Sequence, residues 1–200
     1  NRHVIRWATQ GFANVIRAEG TEAMKKGVAV CMDCRNHSAE FARETACVMA
    51  ANGIHVRLFE SLRPTPELSF AVREYGCQAG VNVTASHNPK EYNGYKVYWA
   101  DGAQLPPQHA AAIADELTRI DIFTGVRSMD YEQALAEGRI ELLGEDCDRR
   151  FMANVMGMVN DYETVKKVAD DFGLVYTPFH GCGYKLVPEA LTRLGIKHLY

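Results

Sequence analysis

Hydrophobic positions along the chain follow two spacings in turn, one typical of a helix and one typical of a strand. Residues 2–19 carry apolar side chains at the spacing of an amphipathic helix. Residues 27–33 form a short continuous apolar run, which is typical of a buried strand. The alternation continues with helices over residues 39–52 and from the segment RPTPEL to Tyr75, and with strands over residues 54–59, 78–84 and 94–100. The sequence therefore predicts an α/β fold with a mixed, mainly parallel sheet sandwiched by helices.

Local signals predict where several of these elements begin and end. Ser38 is placed to cap the helix over residues 39–52, and Gly53 suits the left-handed position that follows a helix. Pro66 fits the first turn of the next helix. The strand over residues 94–100 follows its predecessor too closely for a crossover helix. We therefore expect it to pair antiparallel with that neighbour.

The pattern weakens over residues 125–148, which are more polar, and we place a domain connection there. Beyond it the pattern resumes as a helix, a buried strand and a second helix, over residues 149–160, 172–178 and 184–195. We assign residues 1–147 to a first domain and residues 148–200 to the beginning of a second, incomplete α/β domain. Asn1 already lies at the head of a predicted helix, so we expect the natural protein to start upstream.

Composition and charge narrow the function classes. The chain has 200 residues, is 47% hydrophobic and carries a formal net charge of -3, as a soluble globular protein does. Lys and Arg form no run that would follow a nucleic-acid backbone. No apolar run is long enough to span a bilayer, and no secretory signal opens the chain. We therefore expect a cytoplasmic protein that binds neither nucleic acid nor membrane.

Six cysteines raise the question of redox chemistry. Most lie in apolar stretches, where a thiol behaves as a small hydrophobic side chain, and we expect no disulfide framework. Cys31 and Cys34 form a C-x-x-C between a strand and a helix, which is the layout of thioredoxin-like sites. No second cysteine pair or histidine pair stands at zinc-ligand spacing. A thiol oxidoreductase that uses Cys31 and Cys34 is therefore one alternative function.

The segment TASHNPKEYNGYK, residues 84–96, concentrates reactive side chains between two predicted strands. Ligands of parallel α/β sheets bind beyond the carboxyl ends of the strands, where this segment would lie. Its Asn-Pro and Asn-Gly dipeptides favour turns. Ser86 at the tip could simply bond to its own backbone, as turn serines do. It could instead be a nucleophile or phosphoryl carrier, served by His87, Asn88 and Lys96.

The same segment closely resembles the phosphoserine signature of the α-D-phosphohexomutase superfamily, the phosphoglucomutases and phosphomannomutases. In that pattern T-[AG]-S-H-N-P is followed at fixed spacing by N-G and a lysine. The segments DCRNHS, RPTPEL and YTPFHGCGY are similar to further motifs of the family and occur in its order, and DGAQL after Trp99 is similar to the phosphoglucomutase branch. The resemblance implies phosphohexomutase domain 1 followed by the start of a similar domain. It also implies an intramolecular phosphotransferase that interconverts hexose 1-phosphate and hexose 6-phosphate, with glucose as the expected sugar.

The resemblance further implies roles for particular residues. Ser86 matches the phosphoserine, whose phosphate would be a ligand of Mg²⁺, with glucose 1,6-bisphosphate as intermediate and activator. Lys96 matches the catalytic general acid/base, although a plain anion-binding lysine is the alternative. His87 and Asn88 match residues that shape the loop and contact phosphate, and we count His87 with the catalytic residues. Arg35 matches an arginine expected to bind phosphate or orient the loop, or else to be a structural partner of the aspartate two residues before it.

Parts of the family's pattern have no match in these 200 residues. They are the aspartate-rich metal loop, the sugar-recognition loop and the terminal phosphate-binding domain. We therefore expect the aspartate ligands of Mg²⁺, and the second to fourth domains, to lie outside this sequence, and we expect these residues alone not to turn over sugar phosphate. The residues do not separate glucose, mannose, glucosamine and pentose phosphates. A non-catalytic sugar-phosphate-binding protein is a further alternative.

Overall fold

A five-stranded sheet forms the centre of the first of two units in the computed structural model, which describes residues 1–200. Its strands are β1 (Val28–Met32), β2 (Val56–Phe59), β3 (Ala79–Val83), β4 (Tyr95–Trp99) and β5 (Ile140–Leu143), in the spatial order β4-β3-β1-β2-β5. β1 pairs parallel with β2 and β3, and β2 pairs parallel with β5, whereas β4 pairs antiparallel with β3. The mixed, mainly parallel sheet and the antiparallel β4 are therefore confirmed.

Helices cover both faces of this sheet. They are α1 (Arg2–Ala18), α2 (Thr21–Lys26), α3 (Ser38–Ala51), α4 (Thr65–Glu74), α5 (Pro107–Leu117) and α6 (Tyr131–Ala136). Alternate side chains of β4 point to opposite faces, as a strand requires. Trp99 packs its ring against Phe12 of α1, while Tyr98 is buried on the opposite face, near Thr65 of α4. Because every residue of β1 and β3 is buried between these layers, the carboxyl ends of those strands are fixed platforms for the loops that follow.

The helix ends confirm two local predictions and correct a third. Gly53 has a φ of 77° after α3, and Pro66 lies in the first turn of α4. The capping role predicted for Ser38 is wrong, since His37 occupies the cap position in a left-handed conformation and no side chain caps the helix. Ser38 is the first residue of α3 and so lies one position past the cap, and its hydroxyl donates to Oδ1 of Asp33 at 2.7 Å.

The segment predicted as a domain connection, residues 125–148, contains regular structure. α6 and β5 lie within it, and β5 extends the sheet beyond β2. Ile140 and Leu143 are buried while Glu141 and Leu142 are exposed, so this edge strand has no alternating pattern to detect. The first compact unit is Asn1–Leu143, which ends before the domain boundary expected from sequence after Cys147.

The second unit, Gly144–Tyr200, is small and mostly helical. It contains α7 (Glu145–Gly157), α8 (Tyr162–Val168), a 3-10 helix (Cys182–Tyr184) and α9 (Leu186–Arg193), with the short parallel strands β6 (Gly173–Leu174) and β7 (His198–Leu199). The strand predicted over residues 172–178 is present but shorter than expected, with Gly173 and Leu174 paired to β7, and its predicted burial is wrong, since Val175 is 76% exposed. A sheet of only two short strands gives little surface for burial. Across both units, no helix has the length and apolarity needed to cross a membrane.

Candidate functional site

The candidate site is the loop that joins β3 to β4, residues 84–94, at the carboxyl end of β3. It lies against the segment that follows β1, because Asn36 N–H donates to the carbonyl of Lys90 at 3.3 Å. Within the loop, Asn88 N–H donates to the carbonyl of Ala85, and Tyr92 N–H donates to that of Pro89. These bonds form two turns, as the Asn-Pro dipeptide predicts.

Ser86 lies at the exposed tip of the loop in an unusual backbone conformation. Its φ is 62°, in the left-handed region that residues other than glycine seldom adopt. Its Oγ lies 3.4 Å from Nδ1 of His87, and both side chains are exposed. Asn88 is exposed too and is held through its backbone rather than its side chain. The side chains of Ser86, His87 and Asn88 are therefore all accessible from solvent.

Arg35 clamps this loop from the neighbouring strand. Its side chain is only 7% exposed, and its Nε donates to Oδ2 of Asp33 at 2.9 Å. The guanidinium also donates to three main-chain carbonyls of the loop, those of Ser86 at 2.6 Å, Pro89 at 2.7 Å and Tyr92 at 3.1 Å. The sequence left two roles open for Arg35, pairing with Asp33 and contact with the serine loop. The structure contains both contacts. The contacts to the loop are made with its backbone.

Asp33 lies at the centre of a hydrogen-bonded cluster with Arg35, Ser38 and Thr84. Asp33 was not identified as a site residue from the sequence. Its carboxylate accepts hydrogen bonds from Arg35 N–H and from the hydroxyls of Ser38 and Thr84, in addition to the Arg35 guanidinium. Thr84 in turn accepts from the backbone N–H of Ser86 at 3.0 Å. The pairing of a buried carboxylate with several donors is a stable arrangement. The D-x-R spacing was the sequence signal for it.

Asn93 fastens the far end of the loop. Its Nδ2 donates to the carbonyl of Asn36 at 3.1 Å and to the hydroxyl of Ser38 at 2.9 Å, while its Oδ1 accepts from Gly94 N–H. A Cβ on Gly94 would lie 2.6 Å from the carbonyl oxygen of Thr84, so the glycine is required by a close approach of two backbones. The Asn-Gly pair was predicted only as a turn, and its contact with the segment after β1 was missed.

Lys96 stands on β4, opposite Asn82 of β3, just beyond the loop. It is half-buried and is engaged in no hydrogen bond or ion pair, so its ammonium group is available to a ligand. Asn82 donates through Nδ2 to Thr65 Oγ1 at 2.8 Å, which places this face of the sheet next to α4. The structure does not bring Lys96 into contact with Ser86.

A divalent metal would need ligands beyond those found here. No group of three or more His, Cys, Asp or Glu side chains in the chain could hold a metal ion. Asp33 is committed to the contacts described above, and the exposed Ser86 hydroxyl is a single oxygen. A phosphate on Ser86 fits the role of one hard oxygen ligand for Mg²⁺, with the remaining ligands supplied from elsewhere.

The C-x-x-C pair has the wrong exposure for thiol exchange. Cys31 is fully buried in β1, and its Sγ lies 3.3 Å from the carbonyl oxygen of Arg63, whereas Cys34 is exposed. Cys34 is accessible to a partner thiol, but a disulfide between the two cysteines would require the Cys31 sulfur to leave the core of the sheet. This burial of Cys31 argues against the oxidoreductase alternative.

Comparison with known proteins bears on the loop and on the sheet that carries it. Residues 1–122 match the family model for phosphoglucomutase/phosphomannomutase, alpha/beta/alpha domain I, which spans β1 to β4 and the whole cluster. The chain belongs to this family. Strands β1 to β4, with the serine loop at the end of β3, therefore lie in the family's first domain, and the resemblance seen in the sequence is confirmed.

Relatives of this family member carry more than one sugar in their names. A protein of Schizosaccharomyces pombe named "Probable phosphoribomutase" is 35% identical over 195 residues, covering 94% of this chain and 32% of that protein. A phosphoglucomutase of Staphylococcus haemolyticus is 32% identical over 199 residues, covering 100% of this chain and 35% of that protein. The chain thus spans about a third of the length of these relatives.

Solved structures agree on the fold. The open form of the Paramecium phosphoglucomutase parafusin superposes with a TM-score of 0.75 at 21% identity, covering 98% of this chain and 39% of that chain. A phosphoglucomutase/phosphomannomutase family protein of Burkholderia thailandensis gives a TM-score of 0.66 at 20% identity, covering 100% of this chain and 40% of that chain. The fold of this family member is therefore shared with both.

Proposed function

We propose that the complete protein is a sugar-phosphate mutase whose phosphoryl carrier is Ser86. The main support for this proposal is that the backbone of Ser86 is held in place while its hydroxyl is free to react. The peptide groups of Ser86 are held by Thr84 and Arg35, while its hydroxyl is exposed at the loop tip beside His87. A carrier needs this combination, because the oxygen must be reachable by a substrate and held in one place during transfer.

The proposed reaction has two transfers that balance. The phosphorylated Ser86 gives its phosphoryl group to a hydroxyl of a sugar monophosphate, so that the Oγ–P bond breaks, a sugar O–P bond forms and the hydroxyl proton leaves to a base. The resulting bisphosphate reorients and returns its other phosphoryl group to Ser86. Lys96, whose amino group has no other partner, is the proposed general acid/base: as the neutral amine it takes the hydroxyl proton in the first transfer, and as the ammonium ion it returns a proton to the sugar oxygen in the second. Mg²⁺, bound through the phosphate, would offset negative charge in the transition state.

The remaining signature residues have supporting roles in this proposal. His87 and Asn88, which are exposed beside Ser86, would donate hydrogen bonds to phosphate oxygens. Arg35 would act mainly by holding the loop, since most of its donors already bond to the protein, while its charge favours an anion on the serine. For the substrate we propose a hexose 1-phosphate, glucose first, with pentose phosphate as the competing sugar because of the name of the S. pombe relative.

The test is to map phosphate on the complete protein before and after incubation with glucose 1,6-bisphosphate and Mg²⁺. Trypsin releases residues 74–90, a peptide that contains both Ser86 and Thr84. We expect phosphate on Ser86 and none on Thr84, and we expect Ser86→Ala to lose both labelling and turnover with little change in melting temperature. Turnover of ribose 1-phosphate and glucose 1-phosphate would then be compared to identify the sugar.

Two results would overturn the proposal. Normal turnover by the Ser86→Ala protein would exclude the carrier role. A folded, metal-supplied wild-type protein that binds sugar phosphate but never carries phosphate on Ser86 would make it a non-catalytic sugar-phosphate-binding protein. Lys96→Ala separates the remaining roles: as a general acid/base variant it should keep labelling of Ser86 better than it keeps turnover.

A further inference from the structure

Ser86 holds a backbone conformation that has to be maintained by its surroundings. A left-handed residue other than glycine costs about 1–2 kcal/mol relative to the ordinary regions, and Ser86 has a φ of 62°. The loop around it is exposed and offers little packing to hold the strained residue. Specific hydrogen bonds must therefore supply the restraint.

Two tethers act on Ser86, one on each side of its Cα. Its N–H donates to Oγ1 of Thr84 at 3.0 Å, and its carbonyl accepts from Nη2 of Arg35 at 2.6 Å. Fixing both the N–H and the C=O of one residue leaves its φ and ψ little freedom. The direction in which the Ser86 side chain leaves the backbone is set by those two angles.

Both tethers end on the same oxygen atom. Oδ2 of Asp33 accepts from Thr84 Oγ1 at 2.6 Å and from Arg35 Nε at 2.9 Å. An ionised carboxylate can only accept, so the Thr84 hydroxyl must give its proton to Asp33 and keep its lone pairs for the N–H of Ser86. The order of donors is thus fixed from Ser86 through Thr84 to Asp33.

We infer that Thr84 is a positioning residue for the phosphoryl carrier, and that its hydroxyl, anchored on Asp33, aims Ser86 Oγ at the substrate. The inference rests on the proposed function of Ser86. Thr84 itself is buried, with 6% exposure, and does not reach the reacting atoms. The methyl group of Thr84 has no part in this role, so serine should replace threonine and valine should not.

The experiment measures the rate at which glucose 1,6-bisphosphate labels Ser86 in the complete protein. Thr84→Val keeps the shape of the side chain and removes both hydrogen bonds; we expect the maximal labelling rate to fall about tenfold or more, with the half-saturating bisphosphate concentration little changed. Thr84→Ser should keep the wild-type rate. The matched control is Thr9→Val, which also removes a buried hydroxyl, one that donates to the Ile5 carbonyl and contacts the Tyr95 hydroxyl, and that makes no hydrogen bond to residues 84–94. It should lower the melting temperature and leave the labelling rate unchanged.

A second readout does not depend on phosphoryl transfer. Amide hydrogen exchange of Ser86 N–H, measured by NMR, should accelerate about tenfold in Thr84→Val and stay at the wild-type rate in Thr84→Ser. If the wild-type protein takes no phosphate while this exchange pattern holds, the proposed function fails and the tether stands. If Thr84→Val does not fold, Arg35→Lys, which removes the second tether, is expected to give the same loss of labelling rate.

Three results would overturn the inference: a wild-type labelling rate in Thr84→Val, an equal loss in Thr84→Ser, or an equal loss in Thr9→Val. The first would mean that the tether does not aim the serine. The second would assign the effect to the methyl group, and the third to general destabilisation.

Discussion

Replacing Arg35 by alanine should open the serine loop far more than it destabilises the rest of the protein. The lost guanidinium makes a buried ion pair with Asp33, with side chains 7% and 13% exposed, and hydrogen bonds to three loop carbonyls. Water can replace the donors at those exposed carbonyls, so each contributes only about 0.5 kcal/mol. Breaking a buried pair costs about 3 kcal/mol or more, reduced here because Asp33 keeps donors from Thr84 and Ser38. We expect the free energy of loop opening to be about 2–3 kcal/mol lower than in the wild type. The fraction of molecules with an open loop would then be about 30- to 150-fold higher.

The assay is tryptic cleavage after Lys90, an exposed residue of the loop, under native conditions. When the loop recloses faster than it is cut, the cleavage rate follows the fraction of open molecules. Arg119→Ala is the matched control, since Arg119 is 63% exposed and pairs only with Asp115 and Glu116 on the surface. Such a pair contributes about 1 kcal/mol at most, so its loss should leave cleavage at Lys90 unchanged. Cleavage of Arg35→Ala at the rate of the control would refute the clamp.

Two further predictions concern the strand that leaves the loop. Gly94→Ala should lower the free energy of unfolding, measured in urea, by about 1–3 kcal/mol, because its Cβ would lie 2.6 Å from the Thr84 carbonyl oxygen. Gly157→Ala is the control and should be neutral or stabilising, since its Cβ would have no atom within 4 Å. Equal effects of the two substitutions would contradict the close approach. Burial raises the pKa of Tyr95 above its ordinary value of 10.0, so its contribution to stability is complete below pH 10 and is lost as the pH rises toward the folded-state pKa. Above pH 10 the wild type should therefore lose up to about 1.4 kcal/mol per pH unit more than Tyr95→Phe in urea titrations, and parallel curves would exclude this assignment.

The sheet could be predicted from sequence to the extent that its elements carry a period. β1 is a continuous apolar run because both of its faces are buried, β3 is apolar except for Asn82, and α1 has a wide apolar stripe. β5 was not predicted, because two buried residues flank two exposed ones and the pattern is not that of a strand. It is a strand because it pairs parallel with β2. Its place is decided by tertiary contacts that a local pattern does not contain.

The reactive residues of the site could be predicted from the sequence, but the hydrogen bonds that hold its loop could not. Ser86 and His87 in the loop, and Lys96 just after it, can be identified from the sequence alone, and so can the D-x-R spacing at Asp33 and Arg35. The acceptors that Arg35 uses are main-chain carbonyls, which every residue possesses. Such contacts leave no trace in the sequence, so the choice between a phosphate-binding arginine and a structural one could not be made there.

The cluster separates what holds Ser86 from what Ser86 does. The restraints reach it through its N–H and C=O, from Thr84 and Arg35, and leave the hydroxyl with a single neighbour at 3.4 Å, Nδ1 of His87. A side-chain restraint would have to break and reform each time a phosphoryl group arrived or left, whereas backbone restraints persist through both states. The Arg35 guanidinium adds a fixed positive charge next to the serine, which favours the phosphorylated state. The same contacts that keep the residue in a strained conformation therefore keep its oxygen open to the reaction proposed for it.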